Sequence, residues 1–237
     1  MLSIQNINKT IKDKNIVDNI SFEVPSGCIS GLLGPNGAGK TTTFYIIAGL
    51  IKADEGDIFL ADENVSSFAM HKRSKMGIKY LPQEPSIFQN LSVYENLLGL
   101  AELSFKRKED IENFITKSVD EFNLSEILSR KGRQLSGGQR RKVEIARTLA
   151  ANPKIILLDE PFAGIDPIAI DEIKQVLIKL KNKNIGILIT DHNVREALEI
   201  CDHAIVINNG SIIAKGDKNS LIKDEIVKKV YLGDMYS

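Results

Sequence analysis

The sequence carries no net charge, because Lys+Arg and Asp+Glu each total 31. No global electrostatic footprint therefore points to nucleic acid, and only local basic clusters remain to be weighed. Cysteine is scarce. Cys28 and Cys201 are the only two, lie far apart in apolar contexts, and read as reduced core thiols of a cytosolic protein rather than a disulfide framework. The opening Met1-Leu2-Ser3-Ile4-Gln5 shows no basic segment leading into an apolar run, so no secretory signal is expected. Apolar stretches such as 155–158 and 185–189 fall far short of the roughly 20 residues that cross a bilayer. If the protein serves a membrane process, other chains must supply the membrane part. Internal repeats, low-complexity tracts and long linkers are absent as well.

What is present suits a substantial core: 237 residues, 43% hydrophobic and 26% charged. Ile20, Phe22 and Val24 alternate with polar residues, as do Leu2 and Ile4, which predicts half-exposed antiparallel strands near the N-terminus. Ile29 to Leu33 reads as a short buried strand, Thr42 to Leu50 as a helix stopping at Gly49, Gly56 to Leu60 as an edge strand, and Lys72 to Lys75 as a basic surface turn. Ile78 to Leu81 resumes the sheet. From Ser92, with Glu95 at capping-box spacing, the texture turns helical and charged, so residues 84–135 are expected to form a helical lobe. That lobe is inserted into an α/β core made of 1–83 and 136–237. Ile155 to Leu158 and Ile185 to Ile189 lack polar alternation, as parallel strands covered on both faces do. Pro167 opens a helix running to about Lys183. Asn209-Gly210 closes a hairpin, and Asn219 to Tyr231 reads as a terminal helix. The expected class is α/β, with a mixed central sheet, an antiparallel β subdomain and the inserted lobe.

Two segments carry chemistry on their own. Gly34-Pro35-Asn36-Gly37-Ala38-Gly39-Lys40-Thr41 fits G-x-x-x-x-G-K-[ST] between a predicted strand and a predicted helix. Glycines let backbone N–H groups surround phosphate oxygens, and the helix N-terminus adds partial positive charge. Lys40 can reach the terminal phosphates and Thr41 can ligate Mg²⁺. Asn36, Gly37, Ala38, Gly39, Lys40, Thr41 and Thr42 are the candidate ATP contacts. The apolar strand 155–158 ends in Asp159-Glu160. A parallel sheet delivers functional side chains at such carboxyl ends, so Asp159 can serve Mg²⁺ and Glu160 can orient or deprotonate the attacking water.

Leu135-Ser136-Gly137-Gly138-Gln139 narrows the field. It resembles the signature of ATP-binding cassette (ABC) ATPases, and Gln83, Asp159-Glu160, Ala163-Gly164-Ile165-Asp166 and His192 follow the family's order. The resemblance implies a P-loop nucleotide-binding domain that hydrolyses Mg-ATP as a head-to-tail homodimer. In that arrangement Ser136, Gly138 and Gln139 contact the ATP held by the opposite subunit. It further implies that Gln83 touches Mg²⁺ and water, that His192 holds the γ-phosphate and the water, and that Asp166 stitches the two subunits together. Catalysis would thus rest on Glu160, His192 and Gln83, with Thr41, Gln83 and Asp159 at the metal. Ile11 stands where the family usually stacks an aromatic on adenine, so apolar cover remains but π-stacking is lost. Arg140, Arg141 and Lys142 read as a solvated helix face rather than a nucleic-acid contact.

More narrowly, segments 80–88, 91–97, 159–167 and 190–198, and the ending Val230-Tyr231-Leu232-Gly233, resemble the ATPase subunits of lipopolysaccharide-export transporters. This implies a cytoplasmic homodimer, peripheral on the inner membrane, beneath two membrane subunits. Their coupling helices would enter a groove near Gln83 and Phe88. On the residues alone Phe88 reads equally well as ordinary core. Two rival readings stay open at this point: the ATPase of a branched-chain amino-acid type importer, and a soluble ABC ATPase acting on ribosomes or DNA.

Overall fold

A computed structural model describes residues 1–232. Two sheets organise it, a four-stranded antiparallel one and a six-stranded one. The chain begins with β1 (Leu2–Ile11) and β2 (Lys14–Val24), paired antiparallel with register shifts near Ile4, Ile7 and Lys9. β3 (Ile29–Leu33) then enters the second sheet with every residue buried. Helix α1 (Lys40–Ala48) follows the glycine-rich loop and ends at Gly49, whose φ of 80° closes it in the left-handed conformation. β4 (Glu55–Leu60) and the short β5 (Glu63–Asn64) return to the first sheet, whose order is β2-β1-β4-β5. β4 is therefore an inner strand and not the expected edge.

Helix α2 (Met70–Met76) replaces the basic turn expected at Lys72 to Lys75. Its Arg73 is buried and donates to the carbonyls of Ile46 (2.6 Å), Ile47 (2.8 Å), Ser66 (2.8 Å) and Phe68 (2.8 Å). Burial lowers the guanidinium pKa to about 10. This one cation welds the end of α1 to the chain leaving the antiparallel sheet.

β6 (Ile78–Leu81) leads to α3 (Val93–Ser104) and α4 (Lys108–Phe122), which fill the 84–135 segment together with 3₁₀ turns at Ser125–Ile127 and Gly132–Gln134. Ser92 and Glu95 form the anticipated capping box. Then come α5 (Gly137–Leu149), β7 (Ile155–Asp159), α6 (Pro167–Asn182), β8 (Gly186–Thr190), α7 (Val194–Ile200), β9 (His203–Asn208) and β10 (Ser211–Gly216). The six-stranded order is β10-β9-β3-β8-β7-β6, parallel except for β10. Asn209 (φ 47°) and Gly210 (φ 82°) make the β9–β10 turn.

The expected terminal helix is broken. α8 (Lys218–Leu221), α9 (Glu225–Val227) and a π turn (Lys228–Leu232) succeed one another. The cause is local, since Asp217 and Asp224 each cap a new turn by accepting from Ser220 N–H and from the Ile226 and Val227 N–H groups. Residues 233–237 lie outside the described residues, and with them Gly233 of the terminal match. One apolar cluster joins the antiparallel sheet and α1 to one face of the parallel strands, and a second joins the other face to α3–α7.

Candidate nucleotide site

The site collects at the carboxyl ends of β3, β6, β7 and β8. Register places Asp159 opposite Thr190 and Leu158 opposite both Leu81 and Ile189, so the loops that follow these strands emerge side by side. The phosphate loop follows β3. Gly39 takes φ 103°, and a Cβ there would sit 2.5 Å from the carbonyl oxygen of Ile16, so only glycine allows β2 to pass this close. Gly210 N–H braces the loop from the hairpin by donating to Ala38 O at 3.0 Å. No side chain caps α1, which leaves its first N–H groups free for an anion. Asn36, Gly37 and Thr41 are exposed, Thr42 is half-buried, and Ala38, Gly39 and Lys40 are buried.

Lys40 Nζ donates to Gly34 O (2.7 Å) and Pro35 O (2.9 Å), and so is held against the loop it serves. Burial lowers its pKa, while the charges of Glu160, Asp159 and Asp191 pull the other way. These four charged groups thus share one locality. Asp159 is buried; its Oδ1 accepts from Thr190 Oγ1 at 2.6 Å and its Oδ2 from Tyr80 OH at 3.2 Å. Burial, and then the Asp159 charge, push the Tyr80 phenol up. Glu160 sits at φ 45°, an uncommon conformation for a non-glycine residue. Its N–H is held by Thr190 O (3.0 Å) and Thr190 Oγ1 (3.2 Å), and its Oε2 lies 3.1 Å from His192 Nδ1. The turn thus aims the carboxylate at the histidine following β8. Asp191 is fully buried, accepting from Phe162 N–H (3.1 Å) and Asn193 N–H (2.7 Å), and burial raises its pKa.

Thr41, Gln83 and Asp159 together offer hydroxyl, amide and carboxylate oxygens, a donor set that suits a hard cation such as Mg²⁺. Both carboxylate oxygens of Asp159 are already engaged by hydroxyls, which fits contact through water better than direct ligation. Gln83 is exposed and lines, with Glu160, Gly137 and Gly164, a cleft of about 110 Å³.

The remaining residues flagged in the sequence make no hydrogen bond to the phosphate loop. Ser136 caps α5, its Oγ accepting from Gln139 N–H at 3.2 Å while Gln139 Oε1 accepts from Ser136 N–H at 3.1 Å. A Cβ on Gly138 would lie 2.3 Å from Ala169 Cβ, so this glycine lets α5 and α6 touch. None of the hydrogen bonds of Ser136 or Gln139 reaches the phosphate loop. Asp166 caps α6 by accepting from Ala169 N–H at 3.0 Å. Ile11 is 42% exposed at the tip of the β1–β2 hairpin, and Phe88 is 53% exposed, so it is not core.

The solvated-face reading is overturned for Arg141 and Lys142, whereas Arg140 is half-buried. Arg141 and Lys142 are buried, because α5 is covered by α3, α4 and α6. Arg141 donates to Pro82 O (2.9 Å) and Asp159 O (3.2 Å), and Lys142 Nζ to Glu172 at 2.9 Å. Tyr80, Thr190 and Arg141 are site-shaping residues that sequence reasoning missed. Thr190 and Tyr80 did carry a signal, as hydroxyls at or near the carboxyl ends of strands next to β7. Arg141 carried none.

Comparison with known proteins bears on this arrangement. The ABC transporter family matches residues 17–163. A Haemophilus influenzae protein named "Lipopolysaccharide export system ATP-binding protein LptB" is 49% identical over 241 residues, covering 100% of this chain and 98% of its own. Among solved structures, the ADP conformation of MJ1267, an ATP-binding cassette of an ABC transporter, superposes with a TM-score of 0.90 at 32% identity, covering 98% of each chain. The dimeric structure of MJ0796, a bacterial ABC transporter cassette, does so with a TM-score of 0.80 at 25% identity, covering 92% of this chain and 99% of that one. By family match, near-complete relatives and fold alike, the chain belongs to the ABC transporter family, as an ATP-binding and ATP-hydrolysing cassette.

Proposed function

We propose that this cassette is the motor of an exporter that extracts lipopolysaccharide from the inner membrane. The observation that carries the reading is the near-half identity, end to end, with the Haemophilus protein named for lipopolysaccharide export. In this reading the phosphate loop from Asn36 to Thr42 holds the phosphates, with Lys40 released from Gly34 and Pro35 to meet them. Glu160, oriented by His192, activates the water. Thr41, Asp159 and Gln83 serve Mg²⁺, whose charge would offset that developing on the phosphoryl oxygens. Ser136, Gly138 and Gln139 complete the site of a second copy. The absence of any hydrogen bond from Ser136 or Gln139 to this chain's own phosphate loop supports that division, as does the dimeric cassette structure among its neighbours. Ile11 covers adenine.

The membrane partners would seat at Phe88, where Leu91 and Tyr94 are also exposed. Among the described residues no helix is long and apolar enough to cross a membrane, in keeping with a peripheral subunit on the cytoplasmic face. Residues 84–135 act as the lobe that turns partner motion into movement of the signature.

Glu160→Gln tests the reading. It should lower ATP turnover by about 10²–10⁴-fold while ATP still converts the chain to a stable dimer in size-exclusion chromatography. Undiminished turnover would remove Glu160 from the chemistry. Affinity purification from membranes should bring down two membrane-spanning subunits and lipopolysaccharide. Recovery of a periplasmic amino-acid-binding protein instead would make the chain an importer cassette.

A further inference from the structure

Glu144 and Arg147, buried on α5 beside Arg141, have had no role in the site described above. Arg141, Glu144 and Arg147 recur every three residues, hence on one face of the helix that Ser136 opens. That face looks onto the loop carrying Gln83. Glu144 is 3% exposed, and its Oε1 accepts from both Ser86 N–H (2.6 Å) and Ile87 N–H (3.1 Å). Its Oε2 lies 3.4 Å from Arg141 Nη1, and the same nitrogen donates to Pro82 O at 2.9 Å. The carboxylate thus grips the loop just after Gln83 and, through Arg141, just before it. Between the two grips Gln83, Glu84 and Pro85 are exposed.

The grips continue in both directions. Arg141 Nη2 donates to the carbonyl of Asp159 at 3.2 Å. Arg147 donates to Ser86 O (2.8 Å) and stands 5.3 Å from the centre of the Phe88 ring. A burial this deep penalises both charges, and Arg141 Nε is buried with no partner among the described residues. A hydrophobic pair would fill the same space with less desolvation, so folding alone does not account for the choice of charges.

We propose that Glu144 is a positioning residue that clamps the Gln83 loop to the signature helix, so that displacement of Phe88 by a membrane partner moves Gln83, Ser136 and the Asp159 backbone together. This deepens the motor reading and rests on it. Without the carboxylate the loop and the helix move independently, and partner engagement no longer reaches the site.

The test compares wild type with Glu144→Gln, which keeps shape and one acceptor, in the purified transporter complex and in the isolated chain. Turnover in the complex should fall about tenfold, as for a misplaced catalytic group. KM for ATP should stay within about twofold, since no bond of the phosphate loop is touched. The ratio of complex to isolated turnover should fall about fivefold or more. A second readout is independent of activity. The chain contains no tryptophan, so Glu84→Trp provides a single reporter on the loop, and adding Glu144→Gln should lower its fluorescence anisotropy at temperatures well below the unfolding midpoint of either variant. Equal losses in complex and isolated chain, an unchanged ratio, or unchanged anisotropy would each overturn the clamp. If the wild-type chain turned over no ATP in either setting, the motor reading would fail, and the anisotropy would still decide whether Glu144 holds the loop.

Discussion

The parallel strands β3, β7 and β8 and the antiparallel hairpin β1–β2 are both rich in isoleucine, leucine and valine, yet they present function in opposite ways. Every residue of β3, β7 and β8 is buried, so the side chains at and just past their carboxyl ends have almost no freedom: Lys40 beneath its own loop, Asp159 between two hydroxyls, Glu160 in a forced turn beside His192. The hairpin mixes buried and exposed residues, shifts register three times along β1, and turns through left-handed Lys12 and Asp13. At its tip Ile11 faces solvent. In the proposed reading, phosphate chemistry, which tolerates little displacement, rests on the rigid sheet, and cover for a base, which needs only an apolar surface, falls to the pliable hairpin.

The largest effect should therefore come from the rigid side. Lys40→Ala removes the cation that burial and three surrounding carboxylates define, and kcat/KM for ATP should fall by about 10²–10³-fold. Turnover with purified protein measures it, and a loss below about tenfold would show that the loop's N–H groups carry the phosphates by themselves.

Arg73→Met attacks the join between the two sheets. Four carbonyls of two separate segments would lose their shared donor, and stability should drop by about 2–4 kcal/mol. Urea unfolding reads this directly. A cost near zero would mean that the two sheets are held by their apolar clusters alone, and the contrast between a rigid and a pliable half would lose its structural basis.

Arg73 also shows where the sequence stops being legible. β3 is readable to the residue, the phosphate loop and the acidic pair from local pattern, and the signature from its resemblance to a known family, because none of these depends on remote neighbours. A run such as Lys72-Arg73-Ser74-Lys75 has no such pattern. It reads as a solvated turn until Ile46 and Ile47, more than twenty residues earlier, supply carbonyls that make burial of the guanidinium tolerable. Arg141 escapes a sequence reading for the same reason, its partners Pro82 and Asp159 coming from segments far away in sequence or in a different element. The tail fails differently. Asn219 to Tyr231 has helical composition, but Asp224 offers its carboxylate to the N–H groups ahead of it and starts a new turn.

The smallest effect, and the sharpest probe of the pliable side, lies at Ile11. If base cover there is apolar contact and no more, Ile11→Tyr adds an offset-stacking partner on a position already exposed, with no core to disturb. ATP affinity should rise by about 0.5–1.5 kcal/mol, roughly two- to tenfold. Inorganic pyrophosphate, which has no base, should bind as before. Equilibrium titration of both ligands separates the outcomes. Tighter binding of ATP alone places the base over the hairpin tip and shows that the wild-type cassette holds adenine by contact area. Equal tightening of both would mean that the substitution acts through the phosphate loop beside β2, where Ile16 O crowds Gly39, and the division of labour between the sheets would have to be redrawn. No change in either would put the base elsewhere, leaving the hairpin as a brace for the loop rather than a wall of the site.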